Sequence, residues 1–377
     1  MLVSHPVYDV AVIGGGINGV GIAVDAAGRG LSVFLCEKGG LASHTSSASS
    51  KLIHGGLRYL EYKEFRLGHE AKAPHIIRPL RFIMPHQPHL RPAWLIRTGL
   101  FIYDHLGKRK KLAASRHIHF DPASSPLKDE MTQGFEYSDC TVDDARLVVL
   151  NAMQAHELGA KIATQTRCTA AYRENGVWNI HLEHAQGSYQ LQAKTLVNAT
   201  GPWVFQFIEH NLKQQSPHGL RLVQGSHIIV PRIYEGDKAF ILQNDDQRIV
   251  FAIPYLEQYT LIGTTDHEYQ GNLDQVKITA QEVDYLLDVY NDHFKHQLTP
   301  EDILYTYSGV RSLCDDESNN PSAVTRDYTL AISHAQESDA PLLSVFGGKL
   351  TTYRLMAKNV VDVMCEQLGD DRPCRTA

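Results

Sequence analysis

The chain has 377 residues, of which 43% are hydrophobic and 21% charged. At roughly 150 residues per domain this is two to three domains' worth of chain. A large core is affordable, and both a disulfide-stapled miniprotein and a disordered tail are excluded. With 36 Lys and Arg against 42 Asp and Glu the net charge is −6, so no overall basic field draws the chain to nucleic acid. The six cysteines contain no CxxC pair, which suits a reducing compartment and offers no metal framework. The N-terminus lacks the basic and apolar regions of a secretory signal, and no apolar run approaches the ~18 residues of a spanning helix. The expectation is a protein that is cytoplasmic or lies on a membrane without crossing it.

Residues 8–13 (YDVAVI) read as a short apolar strand, of the kind buried on both faces of a parallel sheet. A glycine turn (GGGING) follows, then an Ala-rich helix and a second strand over 31–37 (LSVFLCE) that ends in an acid, together a βαβ unit. Residues 43–50 (SHTSSASS) form a hydroxyl-rich loop suited to phosphate contact. Residues 74–92 interleave prolines with histidines and arginines, which predicts irregular or edge structure. Residues 93–112 mix aromatics with a basic end. Helical spacing returns at 143–158, with acids in its first turn. Strands are expected near 161–166, 168–172, 177–183 and 189–192, followed by an apolar strand, LVNATGPW, that meets a Gly-Pro break. Several β-rich runs between 220 and 266 predict an antiparallel sheet. A helix is expected over 281–295, and the last landmark is a strand, a Gly-Gly turn and an amphipathic helix (LLSVFGGKLTTYRLMAKNVVDVMCEQL).

These pieces interleave. The expected fold class is α/β (α+β), with a Rossmann-like domain assembled from residues 1–75, 140–215 and 335–377. A second, antiparallel-sheet domain from 76–139 and 216–334 would cap the ligand held by the first.

The most specific motif is Gly14-x-Gly16-x-x-Gly19, with Glu37 eighteen residues after the third glycine. Gly14 permits the tight turn, Gly16 lets the backbone approach a pyrophosphate, and Gly19 allows close helix–strand packing. The helix N-terminus offers N–H groups and a positive dipole end to phosphates, and Glu37 is placed to bond a ribose 2′-OH. An acid there disfavours a 2′-phosphate, leaving NAD and FAD. A second glycine-rich element before a helix, FGGKLTT, favours the longer FAD. His54, Arg58 and Tyr59 flank two glycines in KLIHGGLRY, either around a ligand or on a surface loop. Arg311 and Arg326, near predicted turns, suit a small phosphorylated or carboxylated anion together with Lys349, since the guanidinium fork matches such oxygens. Thr264, in GTTD, either presents a hydroxyl to a cavity or makes a turn. The basic run at 108–111, after the aromatics of LFIYDHL, is read as a solvated face or a contact with anionic lipid.

With these motifs in hand, the sequence resembles the FAD-dependent glycerol-3-phosphate dehydrogenases of the aerobic respiratory type, in the D-amino-acid-oxidase-like flavoprotein superfamily. The likeness rests on IGGGINGVGIAVDAAGRG, TSSASSKLIHGGLRYLE, HLRPAWLIRTGLFIYDHLGKR, GFEYSDCTVDDARL, LVNATGPW, GSHIIVP, IGTTD, YSGVR, TRDY and SVFGGKLTTYR. It implies oxidation of sn-glycerol 3-phosphate to dihydroxyacetone phosphate, with FAD as cofactor and a membrane quinone as acceptor. It further implies a cytoplasmic location, peripheral on the inner face of the cytoplasmic membrane, and leaves a homodimer open. By position, Arg58, Tyr59, Thr264, Arg311, Arg326 and Lys349 would surround the substrate, with His54 and His227 near the flavin. Gly14, Gly16, Gly19, Glu37, Ser46, Ser47, the turn from Ala199 to Gly201, and Gly348, Leu350 and Thr351 would hold the flavin. The family's helical C-terminal domain is absent from this sequence.

In the expected chemistry Arg311 stabilises a developing alkoxide while Arg326 and Lys349 hold the phosphate, assisted by Arg58. His54 leads as proton acceptor on its titration range and neighbours, with His227 a close second. Three alternatives share these motifs: an oxidase passing electrons to O₂, a related flavin amine or amino-acid oxidase, and a flavin-binding module without turnover.

Overall fold

The structure, a computed structural model, describes residues 7–53, 75–87, 92–105, 112–244, 246, 248–314, 328–334, 339–370 and 372–374. Among them, two sheets organise the chain. The first is built on Val7–Ile13, flanked in parallel by Val33–Cys36 on one side and Gly187–Asn198 on the other. Lys161–Ala163 and Leu342–Gly347 continue it outward, also in parallel. Parallel neighbours need crossover connections, and strands covered on both faces must be apolar throughout. Val10, Ala11 and Val12 are accordingly all buried. Helix Ile17–Gly28 lies on one face between helices Asp144–Glu157 and Tyr353–Leu368. The other face is covered by the antiparallel ribbon of Arg167–Glu174, Val177–His184 and the outer half of Gly187–Asn198. Trp178 is buried at its centre and donates its indole N–H to the Pro341 carbonyl at 2.9 Å.

The second sheet is mixed but largely antiparallel. Its long strand Leu220–Pro231 pairs with Tyr305–Cys314 on one side and Tyr259–Gly263 on the other. Ile249–Tyr255 and Ala239–Gln243 follow, and the sheet continues through Ile77–Pro85 to Gln133–Val142. Helix Ala280–His293 packs across its back, burying Leu286, Leu287 and Tyr290. The fold class is thus α/β (α+β), a Rossmann-like parallel sheet joined to a sheet of antiparallel character.

Several expectations change. The proline-rich stretch is not irregular or at an edge: Ile77–Pro85 is a nine-residue strand in the sheet interior. Its parallel neighbour pairs only with Phe82 and Ile83, so Pro79 and Pro85 fall where one side of the strand needs no N–H donor. Residues 189–192 and 196–198 belong to a single strand. Arg311 lies within a strand, opposite Val223, and not at a turn. Leu52–Ile53 pairs with Gln133–Val142 in the second sheet and Tyr328–Ser333 with Leu342–Gly347 in the first, the reverse of the segments drawn from sequence, because strand pairing and not chain position assigns each to its sheet.

The third glycine of the turn carries the tightest contact: a Cβ at Gly19 would lie 1.9 Å from the Gly14 carbonyl oxygen. Backbone cannot rotate aside as a side-chain tip can, so Gly19→Ala should lower unfolding stability by at least about 2 kcal/mol, read from the urea midpoint of the variant.

Candidate functional site

The turn after the first strand is shaped by absent side chains. Gly14 has φ +114°, a region L residues avoid, and a Cβ there would meet the Ala199 carbonyl oxygen at 2.5 Å. Helix Ile17–Gly28 starts directly beyond, capped by Gly16 with no side-chain bond of its own. Ser46 Oγ accepts from the Ile17 N–H at 3.0 Å, so the hydroxyl loop closes over the helix start. Glu37 ends the second strand, its two oxygens accepting from the Gly15 N–H at 2.7 Å and the Gly39 N–H at 2.8 Å. A carboxylate has lone pairs to spare beyond these two. Asn18, an x position of the glycine motif, donates from Nδ2 to the Gly347 carbonyl at 3.2 Å, while its Oδ1 is buried without a partner. The first glycine turn is thereby tied to the Gly347-Gly348 turn, 329 residues away in sequence.

At the other end of the site the register of the second sheet sets the geometry. His227 stands opposite Gly263 on one neighbour and Tyr307 on the other. Its ring stacks on Tyr307 (centroids 4.7 Å, 14° between planes) and occupies the space a Cβ of Gly263 would need, 2.2 Å from Cδ2. Nε2 is 2.9 Å from Ser50 Oγ, and Nδ1 is buried with no partner. Burial, reinforced by Lys51 and Arg311, depresses the imidazole to about 3, so it is neutral at ordinary pH. Arg311 Nη2 bonds Asp266 Oδ1. Thr264 and Arg311 both approach Gly225, whose missing side chain leaves room for Thr264 Oγ1 and the guanidinium. The Ser-rich segment crosses this sheet where it is bare: Thr45 Oγ1 donates to the Val310 carbonyl at 2.7 Å, and a Cβ on Gly309 would strike Ala48 at 2.7 Å.

Both ends open into one cavity of about 540 Å³. Gly14, Gly16, Glu37, Ser46, Ala199, Gly201, Gly348, Leu350 and Thr351 line it, as do His227, Thr264, Arg311 and Lys349. Gly19 lies behind it, in the packing role its position implies. Ser47 does not line it: its hydroxyl turns back to donate to the His44 carbonyl at 3.1 Å, and the residue faces a separate cavity. His54, Arg58, Tyr59 and Arg326 lie outside the described residues. The sequence reading missed Asn18, Ser50 and Trp203. Asn18 and Ser50 sit inside motifs already noted, and Trp203 ends LVNATGPW. The Trp203 ring is flanked by His44 (4.6 Å) and by Lys38 Nζ (3.9 Å from the centroid), itself paired with Asp274.

Residues 9–354 match the FAD dependent oxidoreductase family. The chain is 66% identical to a glycerol-3-phosphate dehydrogenase of Pseudomonas aeruginosa, over 98% of this chain and 74% of that protein. It is 58% identical to the aerobic glycerol-3-phosphate dehydrogenase of Escherichia coli, over 94% of this chain and 72% of that one. This chain belongs to the FAD-dependent glycerol-3-phosphate dehydrogenase family. A D-erythritol 1-phosphate dehydrogenase of Brucella abortus is also similar, at 52% identity over 93% of this chain and 72% of that one. Among solved structures, the glycerol-3-phosphate dehydrogenase of Bacillus halodurans complexed with FAD superposes with a TM-score of 0.75 at 30% identity, covering 98% of this chain and 66% of that one. The cofactor of this family member is FAD. The residues fit it: a side-chain-free path at Gly14 and Gly16, a helix start and the orphaned Asn18 Oδ1 converge on the cavity.

The buried imidazole makes stability depend on pH in a defined direction. An unfolded histidine takes up a proton below its ordinary 6.5, whereas His227 stays neutral until about 3. Its contribution is therefore complete above 6.5 and is lost as pH falls through that window. Between pH 7 and 5 the wild type should lose roughly 2 kcal/mol more unfolding free energy than His227→Asn, measured by urea denaturation at each pH.

Proposed function

We propose that this protein oxidises the secondary alcohol of sn-glycerol 3-phosphate to give dihydroxyacetone phosphate and passes the electrons to a membrane quinone. One observation carries the reading: a single cavity has a dinucleotide cradle at one end and Arg311, Thr264 and a neutral histidine at the other, with Lys349 also in its lining. Relatives named for glycerol 3-phosphate and D-erythritol 1-phosphate share the substrate chemistry this end suits, a small polyol bearing one phosphate.

FAD, when bound, supplies the acceptor for the hydrogen and electron pair leaving the substrate carbon. The chain's own residues do the rest. Asp266 holds one edge of the Arg311 guanidinium, and the remaining N–H groups are aimed to stabilise negative charge on the alcohol oxygen. Lys349 holds the phosphate in this reading; Arg326 and Arg58, outside the described residues, are the further cations the family resemblance suggests for it. His227, which lines the cavity, is the imidazole that takes the hydroxyl proton in this reading. A bound phosphate offsets the charges of Lys51 and Arg311 and so raises the basicity of that imidazole. His54 is the other acceptor considered.

Peripheral membrane contact has its own support. Helix Ala93–His105 buries Leu100 and packs Ile96 and Tyr103 against the sheet, yet Trp94 (68% exposed) and Phe101 (62%) point outward, with Leu95 and Ile102 beside them. These outward positions fall on one helical face, which suits an interfacial helix. No helix among the described residues is long and apolar enough to cross a membrane.

Anaerobic addition of glycerol 3-phosphate to FAD-loaded protein should bleach the flavin absorbance, and Arg311→Gln should slow that bleaching by about 10²-fold. In the same assay His227→Asn should slow it more than His54→Asn. Flavin-loaded protein that does not bleach overturns the reading, and reoxidation faster with O₂ than with a soluble quinone replaces the dehydrogenase with an oxidase. For the membrane, replacing Trp94 and Phe101 together by serine should cut co-flotation with anionic vesicles by about 10-fold or more, with bleaching unchanged.

A further inference from the structure

Behind the cavity, on the helix-facing side of the second sheet, lies a carboxylate that the proposed mechanism does not use. Glu282 is 7% exposed, at the third position of helix Ala280–His293. No cation meets it among its bonded partners; five hydrogen bonds do, divided between its two oxygens. Oε2 accepts from the Thr279 N–H at 2.9 Å, from the Thr279 hydroxyl at 3.1 Å and from Gln224 Nε2 at 2.8 Å. Oε1 accepts from the Ser226 hydroxyl at 2.8 Å and the Thr265 hydroxyl at 2.6 Å. The first set caps the helix. The second reaches the strand and turn that form the cavity wall.

The placement of those two hydroxyls matters. Strand residues alternate faces, so Ser226, facing the helix, sits between Gly225 and His227 on the cavity side. Thr265 sits between Thr264 and Asp266, the partner of Arg311. Thr265 Oγ1 also accepts from the Ser226 N–H at 3.0 Å, and Ser226 Oγ meets Ser308 Oγ at 2.8 Å. One oxygen therefore pins two segments directly and, through Ser226 and Ser308, a third, and their opposite faces carry His227, Thr264 and Arg311. We propose that Glu282 is a positioning residue for the anion-binding end of the cavity, acting through Thr265 to hold Thr264 and the Arg311–Asp266 pair in place. This rests on the functional reading above.

An amide at this position separates the two sets of bonds. Its NH₂ cannot sit on the Oε2 side, where the N–H groups of Thr279 and Gln224 are fixed donors, so it must face Ser226 and Thr265. Ser226 can rotate to donate to Ser308. Thr265 Oγ1 has one lone pair left to accept the amide N–H beside the bond from Ser226, but its own hydroxyl hydrogen then loses its acceptor. The charge-assisted bond is replaced by a weaker one with an orphaned donor. Glu282→Gln thus keeps the helix cap and loosens the wall. Thr265→Val removes the same bond from the other side at nearly equal volume, and Thr265→Ser restores it.

The experiment measures flavin content, Tm, the rise in Tm caused by inorganic phosphate, and the kcat and KM for glycerol 3-phosphate. Glu282→Gln and Thr265→Val should each retain flavin, raise KM about 10-fold with kcat within about three-fold, and lose most of the phosphate-induced rise in Tm. Thr265→Ser should behave as the wild type, and the double variant Glu282→Gln/Thr265→Val should be no worse than either single one. A wild type that takes phosphate but does not turn over would strike the functional reading alone, since the Tm response tests the wall without catalysis. Variants whose KM and phosphate response stay within two-fold of the wild type, whatever their Tm, overturn the proposal, as does a wild type that phosphate does not stabilise.

Discussion

The chemistry of this site depends on one constraint, the register of strand Leu220–Pro231 against its two neighbours. A strand cannot slip by one residue without turning every side chain to the other face. Here that rule fixes His227 between Gly263 and Tyr307, Gly225 opposite Gly309, and Val223 opposite Arg311. The same register sends Gln224, Ser226 and Ser308 to the back, where a buried carboxylate receives two of them directly. Polar groups that would be costly if orphaned instead hold the front face still. The two faces of the strand are thus a working surface and its support.

Small residues then let separate parts of the chain approach. Gly309 bares the sheet where the Ser-rich segment crosses it, Gly225 makes room for Thr264 and Arg311, and Gly19 brings the first helix down onto its strand. The same segment is anchored from below, where Ser49 Oγ and Lys51 Nζ both bond the buried carboxylate of Asp144 at 2.6 and 2.8 Å. Tyr307 completes the junction by donating to the Ser49 carbonyl. The boundary between the two sheets is therefore stitched by hydrogen bonds to backbone and carboxylate acceptors, alongside apolar contacts in which Ile76 and Val142 join the core beneath the first sheet's helices. A ligand lying there meets polar groups that are already held.

The cradle was legible in the sequence because its logic is local: Gly14, Gly16, Gly19 and Glu37 fall within one βαβ unit, and each role follows from spacing. Helices 144–157 and 280–293 were equally plain, since apolar period and capping residues agree. What could not be read was non-local. Nothing in YSGVR indicates that Arg311 lies mid-strand, because its place is set by pairing with residues some ninety positions earlier. The prolines of Ile77–Pro85 looked disruptive until the short overlap with the neighbouring strand was visible. Ser47 and Ser46 are indistinguishable as letters, yet one faces the cavity and the other turns away. Glu282 carried no signal beyond its place in an expected helix, since the hydroxyls it binds, Ser226 and Thr265, are brought to it only by the fold.

The bridge from Asn18 to Gly347 has a consequence for biogenesis. The nucleotide half of the cradle emerges from the ribosome within the first forty residues, but Gly348, Leu350 and Thr351, which line the same cavity, come more than three hundred residues later. The strand that carries them, Leu342–Gly347, joins the first sheet beside Gly187–Asn198 only after the whole second sheet has been synthesised. Until Leu342–Gly347 pairs with Gly187–Asn198 the first glycine turn stands open-sided, so completion of the cradle waits on a segment more than three hundred residues downstream.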